Sequence, residues 1–273
     1  MTLYLVGTPI GNLEDITMRA VRILGQVRLI AAEDTRTTGR LLHHFQIETP
    51  LTSFHEYSTP QRLRQLVEQL TAGDVALVTD AGMPGLSDPG YALVRAAIEA
   101  GVPVSPIPGP AAAIAALVSS GLPTDQFLFL GFLPRQSKAR RLALASVGNL
   151  PYTLVLYEAP HRLLDLLADI QLEWGDRPVA VCRELTKLYE EIWRGSVSGA
   201  MTYFGEGKIR GEITVVVAGA PAGEPQNWDE AAVLTALKEQ MALGHSRKEA
   251  AAYLSALSGW PKRDLYRLTL DKL

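Results

Sequence analysis

Between Thr79 and Gly90 the chain sets Gly82, Gly85 and Gly90 among Pro84, Pro89, Asp80 and Asp88. Glycine lets a backbone approach a ligand with no Cβ in the way, and proline fixes φ, so little entropy is lost when such a loop orders. The two carboxylates suit an ammonium group or a hydroxyl; the plainer alternative is that they only cap helices. Charge gathers again at Glu33-Asp34-Thr35-Arg36 and at Arg183-Glu184-Leu185-Thr186-Lys187. Glu33, Asp34 and Glu184 are candidates to accept a proton, with His161 and Lys187 behind them. Lys187 acts as a base only if desolvation or neighbouring cations lower its pKa. Arginine carries a fixed charge on a forked donor set, which suits phosphate. Arg36, Arg183 and the acid-free cluster Arg135, Lys138, Arg140 and Arg141 are the places for it. Other readings stay open: Asp34 or Thr35 as a helix N-cap, Arg183 and Glu184 as a surface ion pair, His161 as an exposed residue at a helix start.

The elements that must hold these residues follow from hydrophobic periodicity. Val75 to Thr79 is an apolar, β-branched run that reads as a strand buried on both faces. Helical spacing resumes after Gly90 at Leu93, Val94, Ala97 and Ile98. In open α/β sheets ligands bind beyond the carboxyl ends of strands, where the intervening loop falls. Thr2 to Gly7 is a first strand, followed by the loop Thr8-Pro9-Ile10-Gly11-Asn12 and a helix over Thr17 to Leu24. The spacing of Gly7 and Gly11, with a proline between, is not the dinucleotide fingerprint, and no P-loop lysine follows. Strands are expected at Val27 to Ala32, Pro50 to Phe54 and Val102 to Ile107. Helices are expected at Pro60 to Leu70 and, after Pro108-Gly109-Pro110, at Ala111 to Ser119. This repeated βα order predicts a mostly parallel sheet with right-handed crossovers.

After a hinge expected at Ser120 to Asp125 the pattern turns more antiparallel. Strands read at Phe127 to Phe132, Tyr152 to Tyr157, Pro178 to Cys182, Ile192 to Arg194 and Ile213 to Ala218, with a helix at Leu163 to Ile170. Ala220 to Pro225 is a linker by composition. Three helices follow, Asp229 to Ala242, Ser246 to Leu257 and Pro261 to Leu270, made locally basic by Lys248, Lys262, Arg263 and Arg267. They form either a helix-turn-helix-like unit for nucleic acid or a plain helical cap; charge favours the first.

At 273 residues the chain can hold two domains, and a net charge of −3 means that any nucleic-acid partner must be held by a local patch. No apolar run approaches the ~18 residues that span a bilayer, and no signal peptide opens the chain. The single Cys182 excludes an intramolecular disulfide and a cysteine-only metal site, which predicts a reducing, cytoplasmic setting. Five scattered histidines give no zinc spacing, so no metal is expected.

Eight motifs then occur in order: Thr8-Pro9-Ile10-Gly11-Asn12-Leu13, Glu33-Asp34-Thr35-Arg36, Asp80-Ala81-Gly82-Met83-Pro84, Ser87-Asp88-Pro89-Gly90, Pro108-Gly109-Pro110, Gly131-Phe132-Leu133-Pro134, Tyr157-Glu158-Ala159-Pro160-His161-Arg162 and Arg183-Glu184-Leu185-Thr186-Lys187. Together they resemble the ribosomal RNA small subunit methyltransferase I group within the tetrapyrrole-methylase superfamily, over Met1 to about Ala218. The resemblance implies an α/β fold class: two α/β domains of the tetrapyrrole-methylase type (1–120 and 121–220) with the cofactor cleft between them, and a small helical domain (227–273). It implies S-adenosylmethionine as cofactor, a homodimer, and 2′-O-ribose methylation of a cytidine in the decoding region of small-subunit ribosomal RNA, free or in the assembled subunit. By position, the cofactor would meet Thr8, Pro9, Asp80, Ala81, Gly82, Leu86, Gly109, Ala111, Ala112, Phe132, Leu133, Pro160, Ile213 and Thr214. Met83 departs from the threonine usual there, so any contact at 83 is backbone or apolar.

Under that resemblance Arg183 and Lys187 orient the phosphate beside the target ribose, and Glu184 either orients Lys187 or accepts the hydroxyl proton. Arg36, Arg135, Lys138, Arg140, Arg141, Lys262 and Arg263 would contact RNA. A small-molecule methyltransferase acting on a tetrapyrrole would share the cleft but lack the basic face. A non-catalytic ribosome-binding module would need neither the glycine-rich cleft nor the charged strand ends.

Overall fold

Two five-stranded sheets carry the chain up to Gly219, and three helices make a second compact unit from Ala220 onward. The computed structural model describes residues 1–55, 58–86, 90–221, 228–242 and 244–272. Ser87, Asp88 and Pro89, and most of the expected linker, lie outside the described residues.

The first sheet is built from β1 (Leu3–Val6), β2 (Leu29–Ala32), β3 (Leu51–Ser53), β4 (Val75–Val78) and β5 (Val104–Ile107), in the order β3-β2-β4-β1-β5. All its pairings are parallel. Side chains alternate across a strand, and the core divides accordingly. Val6, Ile30, Ala32, Ala76 and Val78 meet α1 (Met18–Gln26) and α2 (Thr35–His44) through Ile23, Leu24 and Leu42. Leu3, Ala31, Val75 and Leu77 meet α3 (Pro60–Ala72) and α4 (Tyr91–Glu99) through Leu66, Leu70, Leu93 and Ala97. With helices on both faces the central strand has no polar side, so β4 is fully buried. Thr17, Asp34 and Thr59 cap α1, α2 and α3. The N-cap reading of Asp34 is therefore correct.

Helix α5 (Ala112–Ser120) follows the first sheet in sequence but packs on the second. Its small residues Ala113 and Ala116, with Leu117, lie against Val155, Ala180, Cys182 and Val216. The second sheet has the order β6-β7-β10-β8-β9, with β6 (Phe127–Phe132), β7 (Thr153–Glu158), β8 (Pro178–Arg183), β9 (Glu191–Ser196) and β10 (Ile213–Val217). Only β6 and β7 run parallel there, as the sequence pattern predicts in kind. Its other face is covered by α6 (Ser137–Val147), α7 (Leu163–Trp174) and α8 (Val197–Gly205), through Leu144, Leu163, Leu167, Ile170, Ala200 and Phe204. Division of the chain near residue 120 is thus a division of sheets, which the packing of α5 crosses.

Helices α6 and α8 were not among the expected elements. In α6 a buried ion pair hides the apolar stripe. In α8 the signal is present, with Ser196 as N-cap and Val197, Ala200 and Phe204 at helical spacing.

The second unit holds α9 (Glu230–Ala242), α10 (Arg247–Ser258) and α11 (Lys262–Asp271) around Val233, Leu237, Ala250, Ala251, Leu254 and Leu265. A capping box of Ser246 and Glu249 starts α10, and Trp260 closes the core by donating its indole N–H to Trp228 O at 2.9 Å.

Candidate active site

The loops after β1 and β4 are joined by a short antiparallel bridge: Thr8 N donates to Gly82 O at 3.0 Å, and Gly82 N to Thr8 O at 3.1 Å. The Thr8 hydroxyl adds a bond to Thr79 O at 3.0 Å. Gly82 takes φ +83°, a conformation that costs other residues dearly. Beneath the bridge, Gly7 and Gly109 touch backbone to backbone; a Cβ on Gly7 would lie 2.8 Å from Gly109 Cα.

Above these loops opens a cavity of about 370 Å³. The first half lines it with Ile10, Ala81, Gly82, Met83 and Leu86, and α5 begins at its wall with Ala111 and Ala112. The second sheet contributes Phe132, Tyr157 to Pro160, Cys182, Leu185 and Gly211 to Thr214. Of the expected cofactor residues, Ala81, Gly82, Leu86, Ala111, Ala112, Phe132, Pro160, Ile213 and Thr214 border it. Thr8, Pro9, Asp80, Gly109 and Leu133 do not. Thr8 and Pro9 are buried in the loop clip, Gly109 is spent on Gly7, and Leu133 packs in the core under α6 and α7. β6 ends at Phe132, which borders the cavity, and the chain beyond it turns Leu133 into the core.

Tyr157, Cys182, Leu185, Gly211 and Glu212 are wall residues that the sequence reading did not assign. The even-numbered periodicity of Ala180 and Cys182 on β8 was the available signal. The Tyr157 hydroxyl accepts the Ala113 N–H at 3.2 Å, in the first turn of α5. Burial pushes the Cys182 thiol up to about 11, so it is a neutral wall group. Size and lining fit an S-adenosylmethionine-sized molecule: the volume lies in the range of small-ligand sites, which are largely apolar with few polar groups.

At the rim stands a charged cluster. Lys187 Nζ lies 2.8 Å from Glu184 Oε1 and 3.2 Å from Glu212 Oε2. Glu184 Oε1 also accepts the Glu212 N–H at 2.9 Å, and the Glu184 N–H donates to Glu212 O at 2.9 Å. Glu184 and Thr186 both hold positive φ, +51° and +65°, in a turn closed by Lys187 N to Glu184 O and by Thr186 N to Glu190 Oε2. Such strain persists only where the surroundings over-determine it. Gly211, at φ +89°, makes room for Glu184, whose Cγ and Cδ a Cβ there would overlap.

The electrostatics separate the candidate bases. The Lys187 ammonium holds the Glu184 carboxyl below its ordinary value. Desolvation pulls Lys187 down, but Glu184 and Glu212 outweigh it and its pKa ends raised. Neither is poised to take a proton near neutral pH. Asp34 is lowered to about 2 by the Arg36 fork upon it, whose closest contact is 2.6 Å. Burial raises Glu33, which accepts the Asp80 N–H at 3.3 Å, and burial raises Asp80, which accepts the Asp34 N–H at 3.1 Å. Arg183 is tied to Glu191 at 2.8 Å, and Glu191 also accepts the Tyr203 hydroxyl at 2.7 Å. The expected ion pair between Arg183 and Glu184 is not what the fold makes: Arg183 pairs with Glu191, and Glu184 with Lys187.

The basic cluster is corrected at one position. Arg140 is 3% exposed and faces inward, its Nε 2.7 Å from Asp169 Oδ2 on α7, with Ser137 on the same carboxylate. It carries no RNA contact in this fold. Arg135 and Lys138 are exposed, and Arg141 is exposed but paired with Glu173 at 2.6 Å. In the helical unit Lys262 and Arg263 are exposed at the start of α11. His161 is exposed in the short turn Pro160–Arg162 that precedes α7, the plainer of its two readings.

Comparison with known proteins adds the lineage of this site. Residues 2–200 match the model of the Tetrapyrrole (Corrin/Porphyrin) Methylases. Among solved structures, a uroporphyrin-III-C-methyltransferase from Thermus thermophilus aligns with TM-score 0.54 and 22% identity over 79% of this chain and 93% of its own. A diphthine synthase aligns with TM-score 0.60 and 14% identity over 80% and 90%. At these identities the likeness is one of fold. The ribosomal RNA small subunit methyltransferase I of Halalkalibacterium halodurans is 49% identical over 98% of this chain and 94% of its own. The proteins of the same name from Synechocystis sp. and Escherichia coli O157:H7 are 49% and 45% identical, covering 98% and 99% of this chain and 97% and 95% of their own. The chain therefore belongs to the tetrapyrrole methylase family and, within it, to the ribosomal RNA small subunit methyltransferase I group.

Proposed function

We propose that this methyltransferase transfers the methyl group of S-adenosylmethionine to the ribose 2′-hydroxyl of a cytidine in the decoding region of small-subunit ribosomal RNA. The observation that carries the reading is the junction of an apolar, small-residue cavity with the Glu184–Lys187–Glu212 cluster on its rim. When bound, the cofactor supplies a methyl group already activated on a sulfonium, so the protein's share is mainly alignment. Ala81, Gly82, Ala111 and Ala112 offer backbone and Cβ surface for close approach, and Phe132, Leu86 and Ile213 exclude water.

Lys187, held protonated by two carboxylates, presents a positive charge where the substrate's phosphate enters, and Glu184 orients it. Arg183 lends charge beside them while anchored on Glu191. Arg36, Arg135, Lys138 and Arg141 are surface cations for the RNA backbone. Lys262 and Arg263 open α11, where the helix dipole disfavours positive charge, and this placement supports a binding role for them. The protein acts in the cytoplasm as a homodimer; exposed Tyr91 and Ile98 on α4 and Val118 on α5 offer apolar surface for a second copy. No helix among the described residues is long and apolar enough to cross a membrane.

Labelled cofactor offered with naked small-subunit RNA or with purified subunits, followed by mapping of the modified nucleotide, tests this reading. Label on a single ribose is the expected result, and substrate with deoxyribose at the target should accept none. Transfer to the deoxy substrate would move the reaction to the base and overturn the 2′-O assignment.

A further inference from the structure

Two carboxylates border the cavity among its described wall residues, Glu158 and Glu212, and they differ in what they can touch. The Glu158 side chain is 0% exposed, with Oε1 occupied by the Ala159 N–H at 2.8 Å and Arg162 Nε 3.2 Å away. No substrate atom reaches it without rearrangement. The Glu212 side chain is 73% exposed, and its Oε2 rests 3.2 Å from Lys187 Nζ. Its backbone is fixed on both sides through Glu184, and Lys187 is in turn held by Glu184. One carboxylate therefore stands at the cavity wall, aimed by a fixed cation, with lone pairs left over for a donor.

We propose that Glu212 is the residue that receives the hydrogen bond of the acceptor hydroxyl and takes its proton, with Lys187 as the positioning residue that aims it. The inference rests on the 2′-O reading above and deepens it. As the ribose oxygen forms its bond to the methyl carbon, the bond from sulfur to that carbon breaks and its electron pair stays on sulfur. The hydroxyl proton passes to a Glu212 oxygen and then to solvent. The products are the methylated ribose and S-adenosylhomocysteine. Glu184, enclosed against Gly211 and bonded to both neighbours, is left with the structural part.

The test compares wild type with Glu212→Gln and Glu212→Ala. The side chain is mostly solvated, so both variants should melt as wild type does and bind S-adenosylhomocysteine with unchanged affinity. Loss of a positioned base should lower kcat by roughly 10²-fold or more in both. A binding readout separates this from any structural role. In the presence of S-adenosylhomocysteine, wild type should prefer target RNA over the same RNA with deoxyribose at the target nucleotide, and Glu212→Ala should lose that preference. Lys187→Ala should lose part of it. Equal preference in wild type and Glu212→Ala, or a kcat within about threefold of wild type, would overturn the role of Glu212 while leaving the 2′-O reading intact. Failure of wild type to place a methyl group on ribose would instead sink the underlying reading.

Discussion

Lys187, leaving the second sheet, lies across Gly11 in the first loop: a Cβ on Gly11 would overlap Lys187 Cγ and sit 3.1 Å from its Cε. This contact joins the halves of the site at the point where the cation meets Glu184 and Glu212. Gly11→Ala should therefore force Lys187 out of its present rotamer, because the obstructing Cγ lies close to the lysine backbone and Thr186 Oγ1 stands 3.1 Å away. Turnover should fall several-fold while S-adenosylhomocysteine affinity and melting temperature hold. Steady-state kinetics beside calorimetry reads this out, and full activity in Gly11→Ala would show that the placement of Lys187 does not matter.

Gly7 and Gly109 make the opposite case. Here a new Cβ would meet backbone, 2.8 Å from Gly109 Cα or 2.9 Å from Gly7 Cα, and neither strand end can yield. Gly7→Ala and Gly109→Ala should each cost about 1–3 kcal/mol as overpacking. Urea unfolding measures it. A midpoint unchanged in both variants would mean the loops are looser than this contact implies.

Glu33 predicts a pH dependence of stability. Burial raises its pKa above the ordinary 4.5, so the folded state holds that proton more tightly than the unfolded chain does. Stability from this source is present below the ordinary value and is lost as pH rises through the folded value. Glu33→Gln cannot ionise and still offers an oxygen to the Asp80 N–H. It should melt above wild type at pH 7.5 and together with it at pH 4. A variant less stable at pH 7.5 would show that the ionised group is favoured in the fold.

Arg140 and its exposed neighbours should separate cleanly. Arg140→Ala strands Asp169 in the core and should cost about 3–5 kcal/mol, as broken buried pairs do. Arg135→Glu and Lys138→Glu should leave melting unchanged but weaken RNA binding. Each lost phosphate contact should flatten the plot of log affinity against log salt by roughly 0.7 to 0.9. An unchanged slope would remove this surface from the RNA interface.

Sequence by itself determined the elements and the loops that carry the site. Strands Val75–Val78 and Phe127–Phe132 were legible as short, continuous apolar runs bounded by polar or proline-containing segments, and the parallel first sheet followed from the βα order. Gly82 was legible as a cavity residue, because loops at carboxyl ends of strands face the ligand side of such sheets, whereas Ala81, Ala111 and Ala112 followed from the family resemblance. Tertiary structure alone decided the pairings. Arg140 reads as part of a surface cluster until Asp169, far along the chain, turns it inward, and Arg183 reads as the partner of its neighbour Glu184 until β9 brings up Glu191. Glu212 carries no signal of its own, since one glutamate before a strand is ordinary. It matters only because β8 and β10 pair antiparallel, with Ile213 opposite Arg183, which sets it beside Glu184 and Lys187. Local periodicity reports which face a residue takes; which charge it will meet there depends on strand order, and that is a property of the folded chain.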